Sequence, residues 1–214
     1  WSDGAGTYAP TDPNAAQFKK GAHKAIDASG LTVVAEYDNP DWSPDNAQKF
    51  VTSQLNNVDG AALAGVYAAN DGQAGGVIAA LRADGMTLLR RVLEVSPATQ
   101  VAMKAAGLDP VPPVTGQDAE LAAIQRIVSG DQYMTIYKSI KTEAEKAAEV
   151  AVAIVNGDDV GETTDYEGVD SFIFDPAVVT KDNIKDTVVA DGFYTVEDIC
   201  TPEYADACKA AGLS

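Results

Sequence analysis

The chain is poor in positive charge, in cysteine and histidine, and in long apolar runs, and each shortage excludes a class of function. It has 15 lysines and arginines against 32 aspartates and glutamates, a formal charge of −17 over 214 residues. Such a charge repels nucleic-acid phosphates and anionic lipid, which excludes both as partners. No apolar run reaches the roughly 20 residues of a membrane-spanning helix, so no membrane insertion is expected.

Only two cysteines occur, Cys200 and Cys208, eight residues apart near the carboxyl terminus. This spacing closes a small loop around one short helix, and in an oxidising compartment we expect a disulfide; two free thiols in a cytosolic chain are the alternative. The first residues, WSDGAGTYAP, lack the basic and apolar parts of a signal peptide, so any export signal has been removed. With a single histidine, His23, we expect neither a metal site nor a cofactor.

Motifs of common enzyme classes are missing as well. The glycines of GQAGG at 72–76 do not have the G-x-G-x-x-G spacing of a dinucleotide-binding turn, and no G-x-S-x-G nucleophile elbow occurs. An acid pair for glycoside hydrolysis stays open only because 32 acidic residues make some pair inevitable. The sequence therefore predicts a protein that is not an enzyme.

What the chain does have is an alternation of apolar β-rich runs with helical stretches. Strands are predicted over 31–37, 65–70, 112–118 and 132–139, and helices over 14–28, 44–55, 72–83, 119–130 and 142–157. The helix at 44–55 has the clearest start, with Ser43 as cap and Pro44 in the first turn. This order predicts an α/β fold, a flavodoxin-like doubly wound sheet of about six mainly parallel strands.

Three of these strands end in polar side chains. Asn70 and Asp71 follow the second strand, Gln117 and Asp118 end the third, and Lys138 ends the fourth. In an open parallel sheet these ends line one crevice, where ligands bind. Carboxylates, amides and an ammonium group offer paired acceptors and donors, which suit a polyhydroxylated neutral ligand better than an anion.

Each of these residues also has a purely structural interpretation. Trp42 could stack on the apolar face of a sugar ring or staple its own helix. Asp71 and Asp118 could be helix caps, and Lys138 could be a solvated strand end. The combination of all of them at one sheet edge favours a binding site.

Six segments then appear in a fixed order between residues 10 and 193. They read PTDPNAAQFKKGAHK, WSPDNAQK, VYAANDGQAGG, PVTGQDAELAAIQRI, MTIYKSI and VVTKDNIKDTVVADGF. In these segments the chain resembles the type I periplasmic sugar-binding proteins of ABC transporters, in their xylose-binding branch. The resemblance implies a non-enzymatic receptor, periplasmic or extracellular, that closes two lobes on one monosaccharide and presents it to a membrane permease.

The resemblance also implies roles for individual residues. In that family, six loop positions face the sugar, and they match Asp12, Asn14, Trp42, Asn70, Asp118 and Lys138. Asp71 and Gln117 adjoin these positions and orient the loops.

Two departures from the family modify these expectations. Family members carry most of an amino-terminal lobe before the segment matching PTDPNAAQ, so residues 1–214 resemble the carboxy-terminal lobe alone, as one α/β unit with weakened sugar affinity. The segment 172–214 matches the family's crossing and hinge side. It either packs back on the lobe as an edge strand with a helix or pairs with a second copy of the chain.

The second departure is an insertion of 22 residues at 84–105, because removing it joins AALRA to AGLDPVPPVTGQD as in the family. The insert resembles, more weakly, a segment of response-regulator receiver domains. It is expected to add a helix and a strand to the sheet, or two helices. The alternative function is accordingly an engineered or truncated chimeric scaffold, a segment-exchanged homodimer without a ligand.

Overall fold

The computed structural model describes residues 13–55, 57, 63, 65–93 and 113–213, and of residues 13 and 84–93 it describes the backbone alone. Over these residues the helices are α1 (Pro13–Ser29), α2 (Pro44–Leu55), α3 (Asp71–Leu93), α4 (Leu121–Ser129), α5 (Ile140–Asn156), α6 (Val196–Ile199) and α7 (Ala205–Ala210). The strands are β1 (Thr135–Tyr137), β2 (Thr164–Tyr166), β3 (Val169–Ser171) and β4 (Ala177–Val179). A 3-10 turn spans Pro40–Trp42 and a π-helical turn spans Lys185–Val189.

The predicted start of α2 is formed by the expected residues, and α5 begins with a similar cap. The Ser43 hydroxyl accepts a hydrogen bond from the Asn46 N–H at 3.3 Å, and Pro44 opens α2, where its missing N–H costs nothing. At α5 the Ser139 hydroxyl accepts from the Thr142 N–H at 3.2 Å. These caps satisfy amide groups that have no partner within the helix.

A parallel hydrogen-bond pattern connects three chain segments that precede the candidate site residues. The Val66 N–H donates to the Pro113 carbonyl at 2.9 Å, and the Thr115 N–H donates to the Val66 carbonyl at 3.1 Å. Two bonds on one residue, directed to partners two positions apart, are the signature of parallel pairing. Val66 and Val114 are accordingly paired in parallel.

The same pattern of parallel hydrogen bonds joins the next two segments of the sheet. The Ile136 N–H donates to the Gly116 carbonyl at 3.2 Å, and the Asp118 N–H donates to the Ile136 carbonyl at 2.9 Å. On its other side β1 pairs antiparallel with β4, in the register Thr135 to Val179. The parallel order predicted for the strands before Asp71, Asp118 and Lys138 is thus present in the backbone bonding, with an antiparallel edge.

Two details of the predicted elements are wrong. Residues 31–37 form no strand, and Leu31 and Val34 are each 54% exposed, so their apolar side chains contribute little to a sheet face. The helix expected at 72–83 continues through Gly85 to Leu93. One glycine costs a helix only about 1 kcal/mol, and the methionine, leucines and arginines that follow favour the helical conformation.

The segment 172–214 lies against β1 and α4. Strand β4 forms the antiparallel edge beside β1, and the side chains of Val179, Ile184, Val188 and Ile199 are fully buried. They join Ile124, Ile127 and Val128 of α4 in one apolar cluster. A second apolar cluster lies between α2, α3 and the Val66–Val114 pair, and includes Val51, Val77 and Leu81.

Cys200 and Cys208 form the predicted disulfide, with their Cα atoms 5.8 Å apart. The bond joins the residue after α6 to the interior of α7, and Cys208 is buried in the cluster on α4. The Thr195 hydroxyl and the Asp198 carboxylate cap α6 reciprocally. The carboxyl-terminal segment is therefore held by a covalent bond and by apolar packing together.

Candidate functional site

The side chain of Asn70 begins α3. Its Oδ1 accepts a hydrogen bond from the Gln73 N–H at 2.9 Å, and its carbonyl accepts from the Ala74 N–H at 3.0 Å. Asn70, and not Asp71, is therefore the residue that caps this helix.

Asp118 and Ala119 occupy a strained turn between the third sheet segment and α4. Their φ angles are 97° and 53°, in the left-handed region that costs a non-glycine residue about 1–3 kcal/mol. Three successive N–H groups hold this turn: Asp118 donates to the Ile136 carbonyl, Ala119 to the Thr135 hydroxyl, and Glu120 to the Asp71 carboxylate. The surroundings therefore impose a conformation that the chain does not favour on its own.

The strained turn brings Asp118 to Lys138. The Lys138 Nζ lies 3.2 Å from Asp118 Oδ1, and Gln117 Nε2 donates to the same oxygen at 3.3 Å. Both charged side chains are nearly half exposed, 47% for Lys138 and 42% for Asp118. An exposed ion pair contributes only about 0–1 kcal/mol, so a ligand can compete for these groups at low cost.

Asp71 lies beneath this exposed pair and does not face solvent. The side chain is fully buried; Oδ1 accepts from Gln132 Nε2 at 2.8 Å, and Oδ2 accepts from the Thr135 hydroxyl and the Glu120 N–H at 2.9 Å each. Burial raises the pKa of Asp71 to about 6, against the hydrogen bonds, which lower it. Asp71 is thus a buried residue whose two carboxylate oxygens are bonded within the protein.

Trp42 ends the 3-10 turn that precedes α2. It and Asp41 both have φ 57°, a second strained pair, and the Asn39 side chain donates to the Ser43 carbonyl at 2.8 Å across the turn. The indole ring meets the Phe18 ring edge to face, with centroids 6.2 Å apart. Trp42 is half-buried, so one part of the indole packs on α1 and the rest stays accessible.

Asn14 lies one turn before Phe18 on α1, on the same face of the helix, and is exposed. This places it on the side of α1 that carries the Trp42 contact. Asp12 lies outside the residues that the structure describes.

Taken together, the structure brings Gln117, Asp118 and Lys138 into direct contact. The Asp71 N–H donates to the Gln117 carbonyl at 2.9 Å, which joins the start of α3 to this group. The Trp42 turn approaches the same helix start, because a Cβ on Gly72 would lie 3.4 Å from Pro44 Cγ. Asn14 belongs to the α1 side.

The sequence patterns did not indicate the residues that form hydrogen bonds around the buried Asp71. Thr135, Gln132 and Arg126 join the Asp71 network: Arg126 Nε donates to Gln132 Oε1 at 2.9 Å, and Arg126 Nη2 to the Asp71 carbonyl at 2.8 Å. One signal was available, since Thr135 and Tyr137 alternate on the buried face of a short strand. A polar side chain at such a position requires a buried hydrogen-bond partner.

A largely apolar groove of about 920 Å³ runs beside α1. Phe18, Ile26 and Leu31 line one side, and Tyr67 and Ile136 line the sheet side. Gln117 of the candidate site also lines this groove.

The acidic side chains form no metal centre in the part of the chain whose side chains are described. Over residues 13–55, 65–83 and 113–213 no group of three or more His, Cys, Asp or Glu side chains could hold a metal ion. No helix in the described part of the chain has the length and apolar character to span a membrane.

Comparisons with known proteins show that the chain is similar to periplasmic binding proteins. The D-xylose-binding periplasmic protein of Haemophilus influenzae is 37% identical over 202 residues, which cover 89% of this chain and 53% of that protein. The D-xylose-binding periplasmic protein of Escherichia coli is 36% identical over 202 residues, with the same two shares. The chain thus spans about half the length of the curated relatives it matches.

Solved structures show the same likeness. An ABC transporter solute-binding protein from Clostridium phytofermentans, with bound β-D-glucose, aligns with a TM-score of 0.67 at 25% identity, over 93% of this chain and 60% of that one. This confirms the predicted α/β fold as that of a type I periplasmic binding protein. The periplasmic binding protein domain matches residues 6–93 and 94–159. The chain belongs to the periplasmic binding protein domain family.

Proposed function

We propose that this chain is a lobe of a solute-binding protein that recognises a monosaccharide, a xylose-like aldose, for uptake by an ABC transporter. The observation that carries the proposal is the Asp118–Lys138 pair with Gln117, exposed at the ends of adjacent parallel segments and held on a strained turn. A carboxylate and an ammonium group side by side accept and donate hydrogen bonds, so that one neutral hydroxyl pair can satisfy both.

The relatives support the sugar class. Two of them are named for D-xylose, and the solved structure from Clostridium phytofermentans holds β-D-glucose. Trp42 would stack on the sugar ring, and Asp12, Asn14 and Asn70 would bond its hydroxyls. The relatives are binding proteins of transport systems, so we propose that the chain is not an enzyme, that it acts in the periplasm after removal of its export signal, and that its protein partner is a membrane permease.

Calorimetric titration with D-xylose, D-glucose, L-arabinose and D-ribose tests this function. We expect a saturable heat for one aldose, and its loss in Asp118→Ala and in Lys138→Ala. The matched control is the exposed Lys146–Glu149 pair on α5, joined at 2.7 Å, whose alanine variants should bind as the unmodified chain does. Heat that survives both site variants would contradict the site assignment, and no heat for any of the sugars would contradict the function.

The domain organisation is part of the proposal. We propose one α/β lobe over 1–214, with an insertion at about 84–105 and the crossing segment at 172–214. The two family matches meet at residues 93 and 94, inside the insertion, and its first ten residues continue α3 as helix. Residues 94–105, where a receiver-like strand or a second helix would lie, are outside the described part. Deletion of 84–105 should leave the circular dichroism spectrum α/β and the sugar heat unchanged.

A second candidate, a homodimeric scaffold without ligand, rests on α5. This helix has no buried residue, and Val152, Ile154 and Val155 are 60%, 66% and 85% exposed. Contiguous exposed apolar side chains are typical of an interaction surface. Light scattering separates the candidates: a dimer that Val155→Lys dissociates, with no effect of sugar on the melting temperature, would favour the scaffold, whereas a receptor is stabilised by its ligand.

A further inference from the structure

Backbone strain in this molecule is concentrated where the sugar is proposed to bind. Five non-glycine residues have a positive φ among those the structure describes, and four of them are Asp41, Trp42, Asp118 and Ala119. Such strain persists only where surrounding contacts hold it, and it tends to occur at functional positions. The question is which group holds the turn that carries Asp118.

Of the three groups that bond this turn, Thr135 is the one that joins it to another of them, because its hydroxyl bonds in two directions. It accepts from the Ala119 N–H at 3.2 Å and donates to Asp71 Oδ2 at 2.9 Å. Thr135, Asp71 and Ala119 are each fully buried. Water therefore cannot replace the hydroxyl, and its removal would leave the Ala119 N–H without a partner.

Asp71 in turn has little freedom to move. Gln132 holds Oδ1 at 2.8 Å, and Gly116 approaches the same oxygen so closely that a Cβ on that glycine would lie 2.1 Å from it. Arg126 fixes Gln132 at 2.9 Å. The Thr135 hydroxyl thus donates its hydrogen bond to a carboxylate that is itself held in place from two sides.

We propose that Thr135, supported by Asp71, is a positioning residue of the sugar site: it holds the 118–120 turn so that the Asp118 carboxylate meets Lys138. The proposal rests on the function proposed above, which assigns Asp118 and Lys138 to the ligand. Thr135 is fully buried, and it acts through the backbone of Ala119.

Amide hydrogen exchange tests the positioning without any sugar. In the unmodified chain the Ala119 and Glu120 amides should be protected to an extent near that of Ile127 in the middle of α4. In Thr135→Val, which keeps the size of the side chain, exchange at Ala119 should become about tenfold faster or more, whereas Ile127 should be unchanged. Thr135→Ser, which keeps the hydroxyl, should restore protection.

Titration with D-xylose tests the consequence for binding. Thr135→Val should raise the dissociation constant about fivefold or more, and Thr135→Ser should remain close to the unmodified chain. An equal loss in both variants would show that the methyl group, and not the hydroxyl, matters, and would overturn the proposal.

The two measurements separate the failure of the inference from the failure of the function. Fast exchange of Ala119 in the unmodified chain would overturn the positioning role, even if Thr135→Val did not fold. Retained protection in Thr135→Val would overturn it as well. Absence of any saturable heat in the unmodified chain would overturn the proposed function, while the exchange pattern would still decide whether Thr135 holds the turn.

Discussion

A carboxylate inside a protein is costly unless its oxygens are bonded, and Asp71 shows how far bonding offsets burial. Its two oxygens accept three hydrogen bonds, from Gln132, Thr135 and the Glu120 N–H. Burial still outweighs them, and the pKa of Asp71 rises to about 6 from an ordinary 3.8. The negative charge of Glu120 also raises the pKa of Asp71, by a smaller amount than burial does.

The raised pKa makes stability depend on pH in a defined direction. Between pH 3.8 and about 6 the folded state holds the Asp71 proton more tightly than the unfolded state does. The contribution of this group to the free energy of unfolding is therefore fully present below pH 3.8 and is lost as the pH rises through 6. The loss is on the order of 3 kcal/mol, from about two pKa units at 1.36 kcal/mol each.

Urea unfolding of the unmodified chain and of Asp71→Asn across this pH range checks the prediction, because other carboxyl groups cancel in the difference. The unmodified chain should lose stability relative to the variant as the pH rises. A difference that is flat with pH would show that Asp71 titrates at its ordinary pKa, and a difference of opposite sign would show that the folded state lowers this pKa. Nuclear magnetic resonance of the Asp71 carboxyl carbon should give a midpoint near pH 6.

At the scale of the elements, helices α2 and α3 come into close contact at a glycine of α3, which has no side chain. A Cβ on Gly76 would lie 2.1 Å from the Pro44 carbonyl oxygen and 3.2 Å from the Gln48 backbone nitrogen. Both of these are backbone atoms and cannot rotate away. Gly76 is therefore a condition for the contact between the two helices that bury Val51 and Val77.

Gly76→Ala should consequently lower the free energy of unfolding by about 3 kcal/mol, the upper end of the usual cost of overpacking. The matched control is Gly21→Ala on α1, where no atom lies within 4 Å of the new Cβ. That variant should gain about 0.5–1 kcal/mol, because alanine favours a helix interior over glycine. Urea unfolding of both variants measures the effects, and a neutral Gly76→Ala would mean that α2 can move away without loss.

The elements also show where sequence patterns were sufficient. The start of α2 at Ser43 and Pro44, and the disulfide around α7, were predicted from residues within ten positions of one another. The strand predicted at 31–37 is not formed, and Leu31 and Val34 stay 54% exposed, because local β propensity alone does not determine a strand. The run of α3 beyond residue 83 was not predicted, because the insertion at 84–105 was expected to add a helix of its own and not to continue this one.

At the scale of the whole molecule the dominant feature is a net charge of −17. Carboxylates repel one another more strongly in the compact folded state than in the expanded unfolded chain. A few local pairs relieve this, such as Lys19 with Glu36 and Asp38 at 2.6 and 2.7 Å. They involve too few of the acidic groups to offset the overall repulsion.

Screening of this repulsion by salt should therefore stabilise the folded protein. Raising sodium chloride from about 0.01 M to about 0.1 M shortens the Debye length from about 30 to about 10 Å, and we expect the melting temperature to rise. Thermal unfolding followed by circular dichroism gives the result, with sucrose at equal osmolality as the uncharged control. A melting temperature that falls with salt would show that local ion pairs outweigh the net repulsion.

The sequence by itself determined the α/β fold, the family, the disulfide, and the set of polar residues that end the sheet segments, because each of these depends on contiguous motifs and their order. Only the tertiary structure decided which of those residues are buried and which are exposed. Thr135 reaches Asp71 across 64 positions, and Glu120 reaches it across 49. The separation of buried Asp71 from exposed Asp118 and Lys138 arises from these long-range bonds, since burial and hydrogen-bond partners are properties of packed segments and not of local sequence.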